Sequence, residues 1–152
     1  MEGAQRVGFF AFVFAAIILA ALPVLAQGQR IGQIKTATGQ AFVVRGEARV
    51  PAKVGDPVYE SDVIETGAAG STIGITFIDN TVFSTGSETQ VALSQFRFDS
   101  SNFKGEMLAD VKKGSLSVVS GDITRSTPGA MKIKTPTAIL GVSGTTFAVK
   151  VY

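Results

Sequence analysis

Ser143, in the run Gly141-Val142-Ser143-Gly144-Thr145, has the neighbours that most favour nucleophilic chemistry, since glycines on both sides let a tight turn lift a hydroxyl into the open. The run departs from a nucleophile elbow at its fifth position, where Thr145 stands in place of glycine, and the sequence contains no histidine to take the hydroxyl proton. It contains no cysteine either, which removes thiolate catalysis, thiolate metal ligation and disulfides together. Ser143 therefore reads as a turn residue bonding its own backbone. Four carboxylates, Asp56, Glu60, Asp62 and Glu65, fall close together in the chain and could offer oxygen ligands to calcium. They fit neither an EF-hand loop nor a glycine-rich nonapeptide, and a solvated acidic edge that discourages strand aggregation is the simpler reading. Phe77, Phe83, Phe96, Phe98, Phe103 and Phe147 could form a flat ligand platform, but several lie at strand spacing and read as core. Arg45, Lys112 and Lys113 read as surface residues, and no glycine-rich stretch ends in the Lys-Ser/Thr pair of a phosphate loop. The expectation is a protein that is not an enzyme, with no catalytic, cofactor-binding or metal-binding residues.

The elements around these residues are strands. Ile73, Ile75 and Phe77 alternate with Gly74 and Thr76, Asp79-Asn80 follows, and Thr81-Val82-Phe83-Ser84 resumes the β-rich pattern, which is a hairpin signal. Gln90 to Phe98 alternates again, and Asp99-Ser100-Ser101-Asn102 is a polar turn. The stretch Thr36 to Gly46 reads as a first strand closed by Gly46, Val54-Gly55-Asp56-Pro57 as a turn, and Ser61 to Gly67 as a short strand. Phe103 to Val111 reads as a strand, Lys112-Lys113-Gly114 as a turn into Ser115 to Gly121, and Asp122 to Met131 as a loop. Near the end, a period of two places Phe147, Val149 and Val151 on one strand face, Pro136 at a strand start or edge, and Gly141 and Gly144 at bends. The whole reads as a closing strand pair. Turns recur about every 8–12 residues and no amphipathic helix of useful length occurs, so the fold class is all-β: a compact two-sheet sandwich or roll, or a short β-solenoid.

Composition narrows the setting. The 152 residues carry a net charge of +2 with scattered Lys and Arg, too little basic character for nucleic-acid binding. Val7 to Leu25 is almost wholly apolar after a short segment with one arginine, and Pro23-Val24-Leu25-Ala26 has the exit of a signal peptide with cleavage after Ala26. An uncleaved anchor is the rival reading, and only it would tie the chain to a membrane. Either way the remainder is exported, to be periplasmic or secreted. The domain plan is residues 1–26 as signal peptide or anchor, 27–38 as a polar lead-in, and 39–152 as the all-β domain.

Across that domain an ordered set of motifs resembles the FecR-type periplasmic domain of bacterial signalling proteins. The motifs are Gly39-x-Ala41-x-Val43-x-Arg45-Gly46, Val54-Gly55-Asp56, Asp62-Val63-Ile64-Glu65-Thr66-Gly67, Ile73-x-Ile75-x-Phe77-x-Asp79-Asn80-Thr81-x-Phe83, Gly114-Ser115-Leu116-x-Val118, Ile133-x-Thr135-Pro136-x-Ala138 and Gly144-Thr145-Thr146-Phe147-x-Val149. The resemblance implies an all-β periplasmic domain, which in signalling members relays a signal from an outer-membrane TonB-dependent receptor to an inner-membrane anti-sigma factor. Those members carry a cytoplasmic region where this sequence has Met1 to Arg6, and commonly continue into a secretin/TonB-type subdomain, so a stand-alone domain is expected. The family usually has Asp-Gly where this chain has Asp79-Asn80, and asparagine also tolerates the left-handed turn. Gly55, Asp56, Gly67, Asp79, Asn80, Gly144 and Thr145 are expected to be structural turn residues, and Gly144→Val to destabilise the fold by a backbone clash at a crowded turn. The roles expected are a protein-binding or scaffold module whose partner is an envelope protein or another copy of itself, a component of trans-envelope signalling with a separately encoded receptor or regulator, or a glycan- or metal-binding envelope protein.

Overall fold

The computed structural model describes residue 3 and residues 28–144 and 146–152. The expected signal peptide with its cleavage point after Ala26, and the turn role given to Thr145, lie outside the described residues. The chain forms β1 (Arg30–Thr38), β2 (Ala41–Arg45), β3 (Ala48–Pro51), β4 (Pro57–Tyr59), β5 (Val63–Thr66), β6 (Thr72–Phe77), β7 (Val82–Thr85), β8 (Gln90–Asp99), β9 (Lys104–Val119), a helical turn α1 (Asp122–Ser126), β10 (Met131–Lys134), β11 (Ile139–Val142) and β12 (Thr146–Val151). The fold is all-β: among the described residues, one strongly curled sheet of twelve strands, antiparallel except where β10 runs parallel to β9. Antiparallel ladders place it with the rolled two-sheet arrangement and not with the β-solenoid.

β9 is the strand both halves share. Its first part, with β8 on one edge and β10 on the other, belongs to the half ordered β3-β2-β5-β8-β9-β10-β11. Its last part, between β7 and β12, belongs to the half ordered β4-β1-β6-β7-β9-β12. β7 and β8 run in succession along one edge of β9, so residues 82–119 form a long bent hairpin. The register slips by one residue at Lys112, between the pairs Val91–Val111 and Gln90–Lys113, and the strand bends just beyond it at Gly114 (φ +85°), where a Cβ would overlap Thr89. The slip is visible in burial: Met107, Ala109 and Val111 face the core before it, Leu116 and Val118 after it. The extra residue moves the inward face from odd to even positions, which keeps apolar side chains inside as the strand changes sheet.

The expected turn at Lys112-Lys113-Gly114 is thus a bend within a continuous strand. Four further expectations change. The polar lead-in is part of β1, with Ile31 and Ile34 buried. The first strand is broken at Gly39-Gln40 into β1 and β2. The loop after Asp122 begins with α1, whose Ile123 and Thr124 are buried. Pro136 lies in the β10–β11 connection instead of at a strand start. Strand character over Phe103 to Val111 holds from Lys104 onward, and Phe147, Val149 and Val151 do share the face packed against the core. That core is one cluster drawing on both halves, with Phe77 edge-on to Phe83 at 4.8 Å and stacked on Phe96 at 5.6 Å.

Candidate functional site

The side chains singled out for chemistry are distributed among separate structural duties. Ser143 is exposed in the β11–β12 connection. The four carboxylates diverge. Asp56 accepts the Lys53 amide and closes its own turn, Glu60 accepts the Phe96 amide on β8, and Glu65 meets Arg49 at 3.0 Å. Asp62, almost wholly buried, accepts both Arg45 Nε (2.8 Å) and Nη2 (2.7 Å) and the Tyr59 amide (2.9 Å). Among the described residues no three His, Cys, Asp or Glu side chains are grouped to hold a metal ion. Arg45, expected at the surface, is half-buried: it lies 4.5 Å over the Tyr59 ring, and its hydrogen bonds to Asp62 raise its already high pKa. Lys112 pairs with Asp110, while Lys113 lines a shallow cleft with Arg49, Glu65 and Glu88. Of the phenylalanines, Phe77, Phe83 and Phe96 are core, Phe98 and Phe147 pack against it, and Phe103 is exposed.

The turn residues hold as turns, each by its own means. Gly55 sits at φ +95° and Asn80 at φ +67°. A Cβ on Gly67 would overlap the Gln40 side chain. Asp79 is fully buried, and its carboxylate accepts the Thr81 amide, the Thr81 hydroxyl and the Ile123 amide. Gly144 stands at φ +92°, but the nearest atom to an added Cβ is the Thr124 methyl at 3.4 Å, which is ordinary contact. Loss of stability in Gly144→Val would thus come from backbone strain and not from the crowding expected.

What remains open to solvent is the rim of the sheet, which among the described residues has four ends: β3, β4, β11 and β12. Two are guarded in the way solitary proteins guard edges. β3 carries Arg49, which lies 3.6 Å over the Phe42 ring, and ends at Pro51. β4 is three residues long and opens on Pro57. The other two lack such protection. β11 exposes Ile139 and Leu140. β12 is six residues long, has no proline, and carries a single charge, Lys150. Among the described residues β11 pairs only with β10 and β12 only with β9. Phe147, Val149 and Val151 point to the core and stay half-buried because the sheet stops beside them. The strands expected on either side of Gly141 and Gly144 are present but do not form the closing pair expected, since β11 pairs with β10 and β12 with β9. The sequence marks the β12 face but not the exposed one of β11, where Ile139 and Leu140 are adjacent and break the alternation of a one-sided strand.

The FecR protein family model matches residues 62–152. The chain belongs to the FecR protein family. No curated protein and no solved structure matches the chain. The FecR match opens at Asp62, the carboxylate that grips Arg45, and takes in β5 to β12 with both unprotected edges. β1 to β4 precede it, yet Ile31, Ile34, Val43 and Val58 are in the same core. Membership connects the chain with envelope-associated signalling. Among the described residues no helix is long and apolar enough to cross a membrane.

Proposed function

We propose that this FecR-family protein is an exported, non-enzymatic protein-binding module of the bacterial envelope, working in the periplasm beside a separately encoded receptor or regulator. The observation that carries the reading is the contrast along the rim: β3 and β4 are blocked, and β11 and β12 are open. An open edge offers a row of backbone donors and acceptors to an extended segment, and the alternate side chains beside it select the sequence. Ile139 and Leu140 would supply the apolar part of that selection at β11. The want of histidine and cysteine and the divergence of the carboxylates support a binding role over a catalytic one.

The test is site-specific photocrosslinking in intact cells, with the reactive group at Leu140 and, as a control, at the still more exposed Val54 in the β3–β4 turn. The expected result is a Leu140 adduct containing a TonB-dependent receptor or an anti-sigma protein, absent from the Val54 sample. Adducts of the same composition at both positions, or none at Leu140, would overturn the reading.

A further inference from the structure

We infer that the open edge of β12 is completed by β12 of a second copy of the chain, in an antiparallel pair about a two-fold axis. The inference rests on reading the rim as a binding surface and names the occupant of one part of it. Three properties of the strand carry it. The first is register. With Val149 opposite its own copy, Phe147 meets Val151 and Val149 meets Val149, so the half-buried inward row of each copy is covered by the inward row of the other. Both rows then continue their own cores across the junction, and neither copy places a polar residue on the inner face.

The second is charge. The outward row is Thr146, Ala148, Lys150 and Tyr152, and Lys150 is the only charge on β12. In this register Lys150 falls opposite Ala148 and Tyr152 opposite Thr146, so no like charges face each other directly. The ammonium of Lys150 already lies 4.9 Å from the Tyr152 ring of its own chain. A strand with opposed like charges would refuse its own copy; this one does not. The third is closure. An unblocked edge of this length invites uncontrolled strand addition, whereas an antiparallel two-fold pair uses the same edge on both partners and stops at two.

The test uses the exported chain as recovered from the cell envelope, followed by sedimentation at graded concentration. The unaltered protein is expected at twice its chain mass. Ala148→Lys sets two ammonium pairs across the axis and should weaken association about tenfold at low salt, and Ala148→Glu should strengthen it by bringing a carboxylate opposite Lys150. Adding Lys150→Glu to Ala148→Lys should restore the dimer. Positions 148 and 150 are exposed, so the fold of each copy is expected to survive, with an unchanged far-ultraviolet spectrum as the check. A chain that is monomeric at every concentration overturns the inference. So does a dimer whose dissociation constant all three variants leave alone, because its interface is then elsewhere. Neither result touches the Leu140 crosslink, which reads a different strand and a different partner.

Discussion

Arg45 and Asp62 are joined across the first half of the chain, and the pair is asymmetric. The Asp62 side chain is 1 % exposed and that of Arg45 is 37 % exposed. The carboxylate has exchanged water for three N–H donors, two of them from Arg45, while the guanidinium keeps part of its hydration. Removing the arginine therefore costs more than a surface ion pair would suggest, because a buried charge is left with one donor. Arg45→Met is expected to lower stability by about 3 kcal/mol, read as a lower urea midpoint with unchanged slope; an unshifted midpoint would contradict the account. Asp99, at the β8–β9 turn, is the opposite case, fully exposed and held by its neighbour. The Ser101 hydroxyl and amide both donate to Asp99 Oδ1 and keep its carboxyl below the ordinary aspartate range. A carboxyl with a depressed folded value contributes stability above its unfolded pKa and loses it as pH falls through the folded one. Ser101→Ala should move the Asp99 titration upward by NMR, and a superimposable curve would show that the serine does not set it.

At the scale of elements, the β6–β7 hairpin and α1 are fastened to each other through Asp79 and its neighbour Asn80. The Asp79 carboxylate bonds Thr81 and the Ile123 amide, its carbonyl accepts the Asp122 amide, and Asn80 Nδ2 reaches Asp122 at 3.0 Å. Gly121 completes the joint, since a Cβ there would overlap the backbone of Asp79 and Thr81. Asp79→Ala leaves buried donors without acceptors and is expected to cost about 3–5 kcal/mol, with hydrogen exchange at Ile123 accelerated more than at β8. Equal acceleration at both places would mean that the carboxylate serves the fold in general and not this joint. The hairpin was legible in the sequence because Ile73, Ile75 and Phe77 alternate up to an Asp-Asn turn. α1 was not, because five residues give no helical period and its position depends on Asp79, forty-four residues from Ile123. β1 was hidden by a register irregularity that sets Ile31 and Ile34 an odd number of residues apart while burying both. Lys112-Lys113-Gly114 has the composition of a turn, and only the even-numbered burial of Leu116 and Val118 shows that the strand runs on through it. The site was legible to the same degree: the inward face of β12 follows from its alternation, whereas an open edge is a property of which strands lie beside it.

For the molecule as a whole, the shared strand decides how stability is distributed. Two sheets joined only by loops could open separately, each at its own free energy. Here β9 passes through both, and the core it borders is one cluster to which Val43 and Leu93 contribute from one half and Ile73 and Phe83 from the other. Opening either half exposes side chains that the other half packs against. The two halves should therefore behave as one cooperative unit, and substitution in one should be felt in the other. Val43→Ala, in β2, removes buried apolar volume far from β6 along the sheet and is expected to cost about 1–3 kcal/mol. Under native-state hydrogen exchange, the most protected amides of β6 and β8 should lose protection by that same amount, because both report the same global opening. Protection that fell in β8 and held in β6 would show two independently unfolding halves, and β9 would then be a connector between them instead of the strand on which both depend.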